Sequence, residues 1–234
     1  MNRPQRILTS YIKSLYNLFY TPACVGCGAA LLRNEPVLCI TCQIGLPLNP
    51  FFDSPNNEVH QVFAGRLPLV AANSLLFFTK NGIAQGMMHA LKYQNRQDVG
   101  EFLGRRLAIE LQKTGVNPDV ILPVPLHPSK QKTRGYNQCH SIARGMRSVF
   151  RCDINYRDVR RTTSNQSQTK LNRVQRWDNV KGIFKVKNTK RLENKHVLLI
   201  DDTLTTGATL ESCGQALLTI PGVKISVATL AYAK

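Results

Sequence analysis

The run VLLIDDTLTTGAT at residues 197–209 constrains the fold more than any other segment of this chain. Val197 to Ile200 are four consecutive apolar residues, mostly branched. A strand without a polar face must be covered on both sides, which places it at the centre of a parallel sheet. Asp201 and Asp202 then stand at its carboxyl end, where open α/β sheets bind ligands. Thr203, Thr205, Thr206 and Gly207 follow with hydroxyls, backbone amides and room for a tight turn, and Leu210 to Leu218 resumes helical spacing. The expected product is an anion cup on a helix N-terminus with two carboxylates beside it. A chance strand with an acidic end, or two aspartates capping the helix, would account for part of the string but not for its whole order.

Carboxylate acceptors beside an anion cup suit a ligand carrying hydroxyls and a phosphate, as a ribose 5-phosphate does. The carboxylates would take the 2- and 3-hydroxyls and the turn the 5-phosphate. A second buried strand, Val120 to Pro125, leads into a loop made basic by Lys130, Lys132 and Arg134. Gly135 there permits a close backbone approach, and an arginine fork with backbone amides suits a diphosphate.

The rest of the chain alternates between strand and helix signals. Leu69 to Phe78 reads as a strand, Ile83 to Tyr93 as a helix carrying Lys92, and Gly100 to Lys113 as a helix with Leu103, Leu107 and Leu111 on one face. Tyr136 to Val149 is a further helix, and Ile225 to Tyr232 closes the sheet. This alternation predicts a mostly parallel α/β sheet flanked by helices over residues 60–234. Pro47, Pro50 and Pro55 mark a connector before it. Residues 1–20 read as an amphipathic helix through Ile7, Leu8, Tyr11, Ile12, Leu15, Leu18 and Phe19. Packing on the chain's own core is the favoured use of that helix, over a membrane surface or a partner.

Between these two segments, residues 21–50 contain two C-x-x-C pairs, Cys24 with Cys27 and Cys39 with Cys42. Two such knuckles supply the four thiolates of a tetrahedral zinc site, and four sulfurs leave no open position, so the metal would be structural. Two redox pairs or buried thiols are the other uses of this spacing. Cys139, Cys152 and Cys213 are scattered, and seven cysteines, an odd number, do not make a disulfide framework. No secretory signal is evident, so a reducing cytoplasm is expected. No apolar stretch approaches the length of a transmembrane segment.

The chain carries 31 basic and 14 acidic side chains, a net charge of +17. From Lys130 to His196 there are 18 basic and 4 acidic residues, so most of the excess lies there. Such a stretch attracts polyanions, whether diphosphate, nucleic acid or anionic lipid.

Taken in order, the paired cysteines, LKY at 91–93, PVPLHPSKQKTRGYNQ at 123–138, RRTTSNQSQTKLNRVQRWDNV at 160–180 and VLLIDDTLTTGAT resemble the competence protein F (ComF) branch of the type I phosphoribosyltransferase fold. The resemblance covers most of residues 20–234. It implies that Asp201, Asp202, Thr203, Leu204, Thr205, Thr206, Gly207 and Thr209 bind phosphoribosyl diphosphate. Arg134 and Gly135 would lie at the diphosphate end, with magnesium chelated mainly by the ligand. Residues 160–180 would form a loop that closes over it. Lys132, Arg134, Arg160 and Arg161 are the candidates to stabilise leaving-group charge. No base for an acceptor is evident, because that loop offers only Asp158 and Asp178, and His127 and His140 read as structural.

The resemblance also implies work in DNA uptake, with single-stranded DNA on the basic stretch and a helicase or translocase on the zinc module. The alternative is an active phosphoribosyltransferase acting on a nitrogen acceptor. A third reading is a sensor that binds the ligand without chemistry.

Overall fold

The computed structural model describes residues 22–55, 57–78, 82–162 and 183–233. The helix expected over residues 1–20, and most of the loop expected over 160–180, lie outside them. The chain divides into two compact units, Met1–Leu46 and Pro47–Lys234.

In the first unit a short hairpin pairs Ala23 with Ala30, and a one-turn helix, α1, spans Ile40–Ile44. Gly28 closes the hairpin turn at φ 76°, donating its N–H to the Cys24 carbonyl at 2.8 Å. This turn brings the first cysteine pair onto one side of the knuckle.

The second unit begins with a short helix, α2, over Glu58–Val62, capped by the Asn57 side chain, which accepts the His60 N–H. Strand β1 (Ala71–Phe77) follows, then helices α3 (Ile83–Tyr93) and α4 (Gln97–Lys113). Strand β2 (Val120–Pro123), helix α5 (Pro128–Arg134), helix α6 (Gln138–Phe150) and strand β3 (Asp153–Ile154) come next. Beyond them are β4 (Val159–Arg161), β5 (Phe184–Val186), β6 (His196–Leu204), α7 (Ala208–Leu217) and β7 (Lys224–Tyr232).

Five strands form one sheet in the order β1-β7-β6-β2-β3, and every neighbouring pair is parallel. β6 occupies the middle, as its wholly apolar start requires. Val197, Leu198, Leu199 and Ile200 are all fully buried. β7, the last strand in the chain, lies between β1 and β6, pairing with both. β4 and β5 make a separate antiparallel ribbon.

On one face of the sheet Val197, Leu199, Ile225 and Val227 pack with Val59 and Phe63 of the α2 region and with Leu210, Cys213 and Leu217 of α7. α4 and α6 cover the sheet through β1, β7, β2 and β6, burying Leu103, Leu107, Ile142 and Met146. These two helices approach closely because a Cβ at Gly104 would stand 2.2 Å from the Ile142 carbonyl oxygen, where no side chain fits. Their packing fixes the N-terminus of α6 at the carboxyl edge of β2 and β6.

The basic stretch after β2 is not a loop. Pro128 to Arg134 is a two-turn helix with Pro at its start, capped by His127, whose side chain accepts the Ser129 N–H at 3.2 Å. None of its residues is buried, so it has no apolar periodicity to reveal it. Gly135 serves as its left-handed C-cap at φ 76°, and its Cα faces open space rather than a close neighbour.

Candidate functional site

β6 stays in the sheet four residues beyond its apolar run. Asp201, Thr203 and Leu204 pair with Thr229, Ala231 and Tyr232 of β7, so the two carboxylates sit on a rigid strand and the turn begins only at Thr205. Gly207 then turns the chain at φ 76°, and a Cβ on it would lie 2.9 Å from carbons of Phe63 and Val62. Glycine alone meets both demands.

α7 starts immediately after Gly207 with no side chain capping it. Its first N–H groups have no acceptor within the helix, and the helix dipole adds partial positive charge. They face a solvent-open cup of about 240 Å³ lined by Asp201 and the run from Thr203 to Leu210. Such a mouth is built for an anion.

The two aspartates live in different surroundings. Asp202 is 6% exposed and both its oxygens are engaged: Lys92 Nζ lies 3.1 Å from Oδ1, and Gln138 Nε2 donates to Oδ2. Asp201 faces the cup instead. Its Oδ1 accepts the Asp202 N–H at 2.8 Å and the Cys139 thiol at 3.4 Å. Burial first, and the neighbouring Asp202 charge second, push its carboxyl up to about 7. Near neutral pH Asp201 therefore exchanges its proton easily, while Cys139, raised by burial and by both carboxylates, remains a thiol that can donate.

Lys92 was visible in the sequence as part of a helix, without a role. It also donates to Thr203 Oγ1 at 3.1 Å, so one ammonium ties α3 to the end of β6. Its neighbours complete the tie. The Leu91 carbonyl accepts from Tyr136 Oη, and Tyr93 carries the Arg134 guanidinium with 5.5 Å between Cζ and the ring centroid. Leu91, Lys92 and Tyr93 thus join the two halves of the site expected from the sequence.

Arg66 was missed altogether. Its guanidinium donates to the Val62 and Thr206 carbonyls, each at 3.0 Å, and pairs with Glu211 in the first turn of α7. It clamps the turn that forms the cup from outside. Only a contact across 140 positions identifies it.

The remaining predicted cations are more scattered. Arg134 and Gly135 end α5 beside Tyr93, whereas Lys132 and Arg160 stand exposed without an acidic partner among the described residues. Arg161 lies over the Phe184 ring at 5.5 Å with its Nε buried and unpaired, and its charge reaches Cys213 of α7. His140 packs edge-on against Tyr156 at 4.6 Å, and burial lowers its pKa. Together with the capping role of His127, this gives both histidines structural work.

In the first unit the sulfurs of Cys24, Cys27, Cys39 and Cys42 all lie within 4.8 Å of one another. Cys27 and Cys39 are 3.7 Å apart, close to the edge of a tetrahedron of about 3.8 Å that Zn–S bonds of ~2.3 Å would set. Burial raises the Cys24 thiol, but backbone N–H groups of Cys39, Cys27 and Gly26 outweigh it and bring its pKa down to about 6. The cluster can hold a metal ion. Among the described residues no helix is long and apolar enough to cross a membrane.

Comparison with known proteins agrees with this geometry. The model of the phosphoribosyl transferase domain matches residues 95–234. DNA utilization protein YhgH of Shigella flexneri is 29% identical over 137 residues, 56% of this chain and 60% of that protein, so the chain spans less than two thirds of this relative. Competence protein F of Haemophilus influenzae is 28% identical over 153 residues, 63% of this chain and 67% of that one. Competence protein ComFC of Bacillus subtilis is 33% identical over 198 residues, 83% of this chain and 77% of that one. With that last match covering 83% of this chain, and with the domain match over residues 95–234, the chain belongs to the ComF family and contains a phosphoribosyl transferase domain.

Proposed function

We propose that this protein binds phosphoribosyl diphosphate with magnesium in the cup at the end of β6, holds one structural zinc on its four cysteines, and serves DNA uptake. The observation that carries the ligand reading is the uncapped N-terminus of α7 with Asp201 on the same wall. The amides of Thr206 to Thr209 would take the 5-phosphate, and Asp201 the ribose hydroxyls. Asp202, held by Lys92 and Gln138, would act mainly by orienting Asp201 and keeping the strand end charged. Arg134, and behind it Gly135, would receive the diphosphate, and magnesium would neutralise charge between the phosphates.

The setting in DNA uptake follows from the names of the relatives and from the charge of the chain. Basic residues between Lys130 and His196 would hold single-stranded DNA through its phosphates, and the zinc module would dock a helicase or translocase. Binding of this type weakens steeply with salt. Turnover is the second reading, favoured by Arg134 and Arg161, whose guanidinium groups have no acidic partner among the described residues and are free to stabilise a leaving diphosphate.

The test is calorimetry with phosphoribosyl diphosphate and magnesium on the wild type and on a variant combining Asp201→Ala with Asp202→Ala. Loss of binding with zinc content intact is expected. Unchanged affinity would remove the ligand assignment. Release of diphosphate in the presence of single-stranded DNA, nucleobases or amines would establish the enzyme, and binding without release would leave an accessory or sensor.

A further inference from the structure

We propose that Cys27 and Cys39 form a modification site, at which a peroxide converts the two thiolates into a disulfide and so releases the zinc ion of the first unit. Resting on the zinc reading above, the site follows from the unequal settings of the four sulfurs. Cys24 and Cys42 are buried, Cys39 is half-buried and Cys27 is exposed. The Cys24 sulfur accepts the Cys39 N–H at 3.3 Å together with N–H groups of Cys27 and Gly26, whereas Cys27 has one such donor, from Ala29. Each N–H bond draws charge from a thiolate and makes it a weaker nucleophile. Cys27 is thus the sulfur that a small oxidant can reach and that its surroundings quench least.

The second thiolate is already in place. Cys39 Sγ lies 3.7 Å from Cys27 Sγ, across the two knuckles, so the pair closes to a bond of ~2.0 Å by a small approach. The Cys27 thiolate attacks one peroxide oxygen, the O–O bond breaks, and the products are a sulfenic acid and hydroxide. The Cys39 thiolate then attacks the sulfenic sulfur, the S–O bond breaks, and a second hydroxide leaves. Two thiolates lose two electrons in all, and the peroxide gains them. Cys24 and Cys42 are then the remaining ligands, too few for a tetrahedral site, and the zinc ion departs. The frame around the pair does not depend on the metal alone. The Glu35 carboxylate accepts the Leu32 N–H at 2.8 Å and the Ile40 N–H at 2.7 Å, and the Val25 N–H donates to the Val37 carbonyl at 3.1 Å. These bonds keep the Cys39 segment beside the first knuckle after the metal has gone, so a dithiol reductant and zinc restore the site.

The test treats the full chain, purified without chelator, with hydrogen peroxide. A chromophoric chelator follows the released zinc while peptide mass spectrometry locates the disulfides. Zinc should appear in step with the Cys27–Cys39 disulfide, and dithiothreitol with added zinc should reverse both. Cys27→His keeps a zinc ligand at that position and should release the metal at least about tenfold more slowly than wild type. In Cys39→His the oxidation should stop at a Cys27 sulfenic acid, which dimedone captures. Cys152→Ser, at a half-buried cysteine outside the cluster, should behave as wild type. Zinc retained under peroxide, a disulfide joining Cys24 to Cys27 or to Cys42 instead, equal release rates in Cys27→His and wild type, or dimedone captured by another cysteine of the cluster would each overturn the proposal. The wild-type disulfide map decides even where neither histidine variant holds zinc. Protein that carries no zinc yet forms the Cys27–Cys39 disulfide would overturn the zinc reading and leave the pair standing as an oxidation site.

Discussion

Asp201→Asn should make the unliganded protein more stable, and increasingly so as pH rises. The asparagine keeps Oδ1, which accepts the Asp202 N–H and the Cys139 thiol, but removes the charge that burial and Asp202 oppose. A carboxyl raised from 3.8 to about 7 holds its proton more tightly in the folded state than in the unfolded one. Its contribution to stability is therefore fully present below the unfolded value and is lost as pH rises through the folded one. Between pH 5 and the folded value lie about two units, which at 1.36 kcal/mol each amount to ~2.7 kcal/mol. Solvent in the open cup screens part of this, leaving an expected pH-dependent gain of about 2 kcal/mol for the variant between pH 5 and pH 8.5. For a domain of this size that corresponds to about 4–8 °C in Tm. Melting curves of both proteins at the two pH values measure it, and the difference between variant and wild type cancels the other titrating groups. A difference that stays level with pH would refute the argument that Asp201 is strained by its surroundings. The same carboxylate should ionise when a cation-bearing ligand enters, so affinity for magnesium phosphoribosyl diphosphate should rise from pH 6 to pH 8 in the wild type and stay flat in the variant.

Lys92→Ala leaves Asp202 buried without its counter-ion and should cost about 3 kcal/mol in urea unfolding, most of it recovered when Asp202→Asn is added. Persistence of the full loss in the double variant would contradict the pairing. Arg66→Ala should weaken phosphoribosyl diphosphate by about tenfold, since the Thr206 carbonyl loses a charged donor, with Arg66→Lys restoring part of the affinity. Equal affinity in all three proteins would show that the clamp does not shape the cup. Metal analysis of protein purified without chelator should give about one zinc per chain, and Cys24→Ser with Cys42→Ser should abolish it.

The parts of this fold that could be read from the sequence are those where burial imposes a pattern. Ile83–Tyr93 is recovered with its bounds because Ala84, Met87, Met88 and Leu91 recur on one buried face, and β6 announces itself by four residues buried on both sides. The cysteine pairs were equally legible, because metal-ligand spacing is local. β6 ran on through Asp201 to Leu204 without warning, since pairing with β7 rather than apolar content keeps those residues extended. α5 was hidden for the opposite reason: with nothing buried it has no stripe, and only Pro128 after His127 hinted at its start. Inside the site, the acidic pair and the Thr–Gly turn were plain. Arg66 and the roles of Lys92 and Gln138 were not, because each acts on a partner at least 64 residues away, and spacing along the chain carries no trace of such contacts.

The place of β7 in the sheet has a consequence for how the protein comes to exist. Among the described residues, apart from an isolated antiparallel bridge from Leu48 to Leu76, the one strand that pairs with β1 is β7, which lies about 150 residues later in the chain. During synthesis β1 can meet only the bridge from Leu48 until almost the whole second unit has been made, and β6 gains its support for Asp201 only at that moment. Pairings of such long range close slowly and leave apolar strand edges open to other chains. Refolding should accordingly be slow and prone to aggregation, with ligand binding regained only when the last strand slots between the two that precede it.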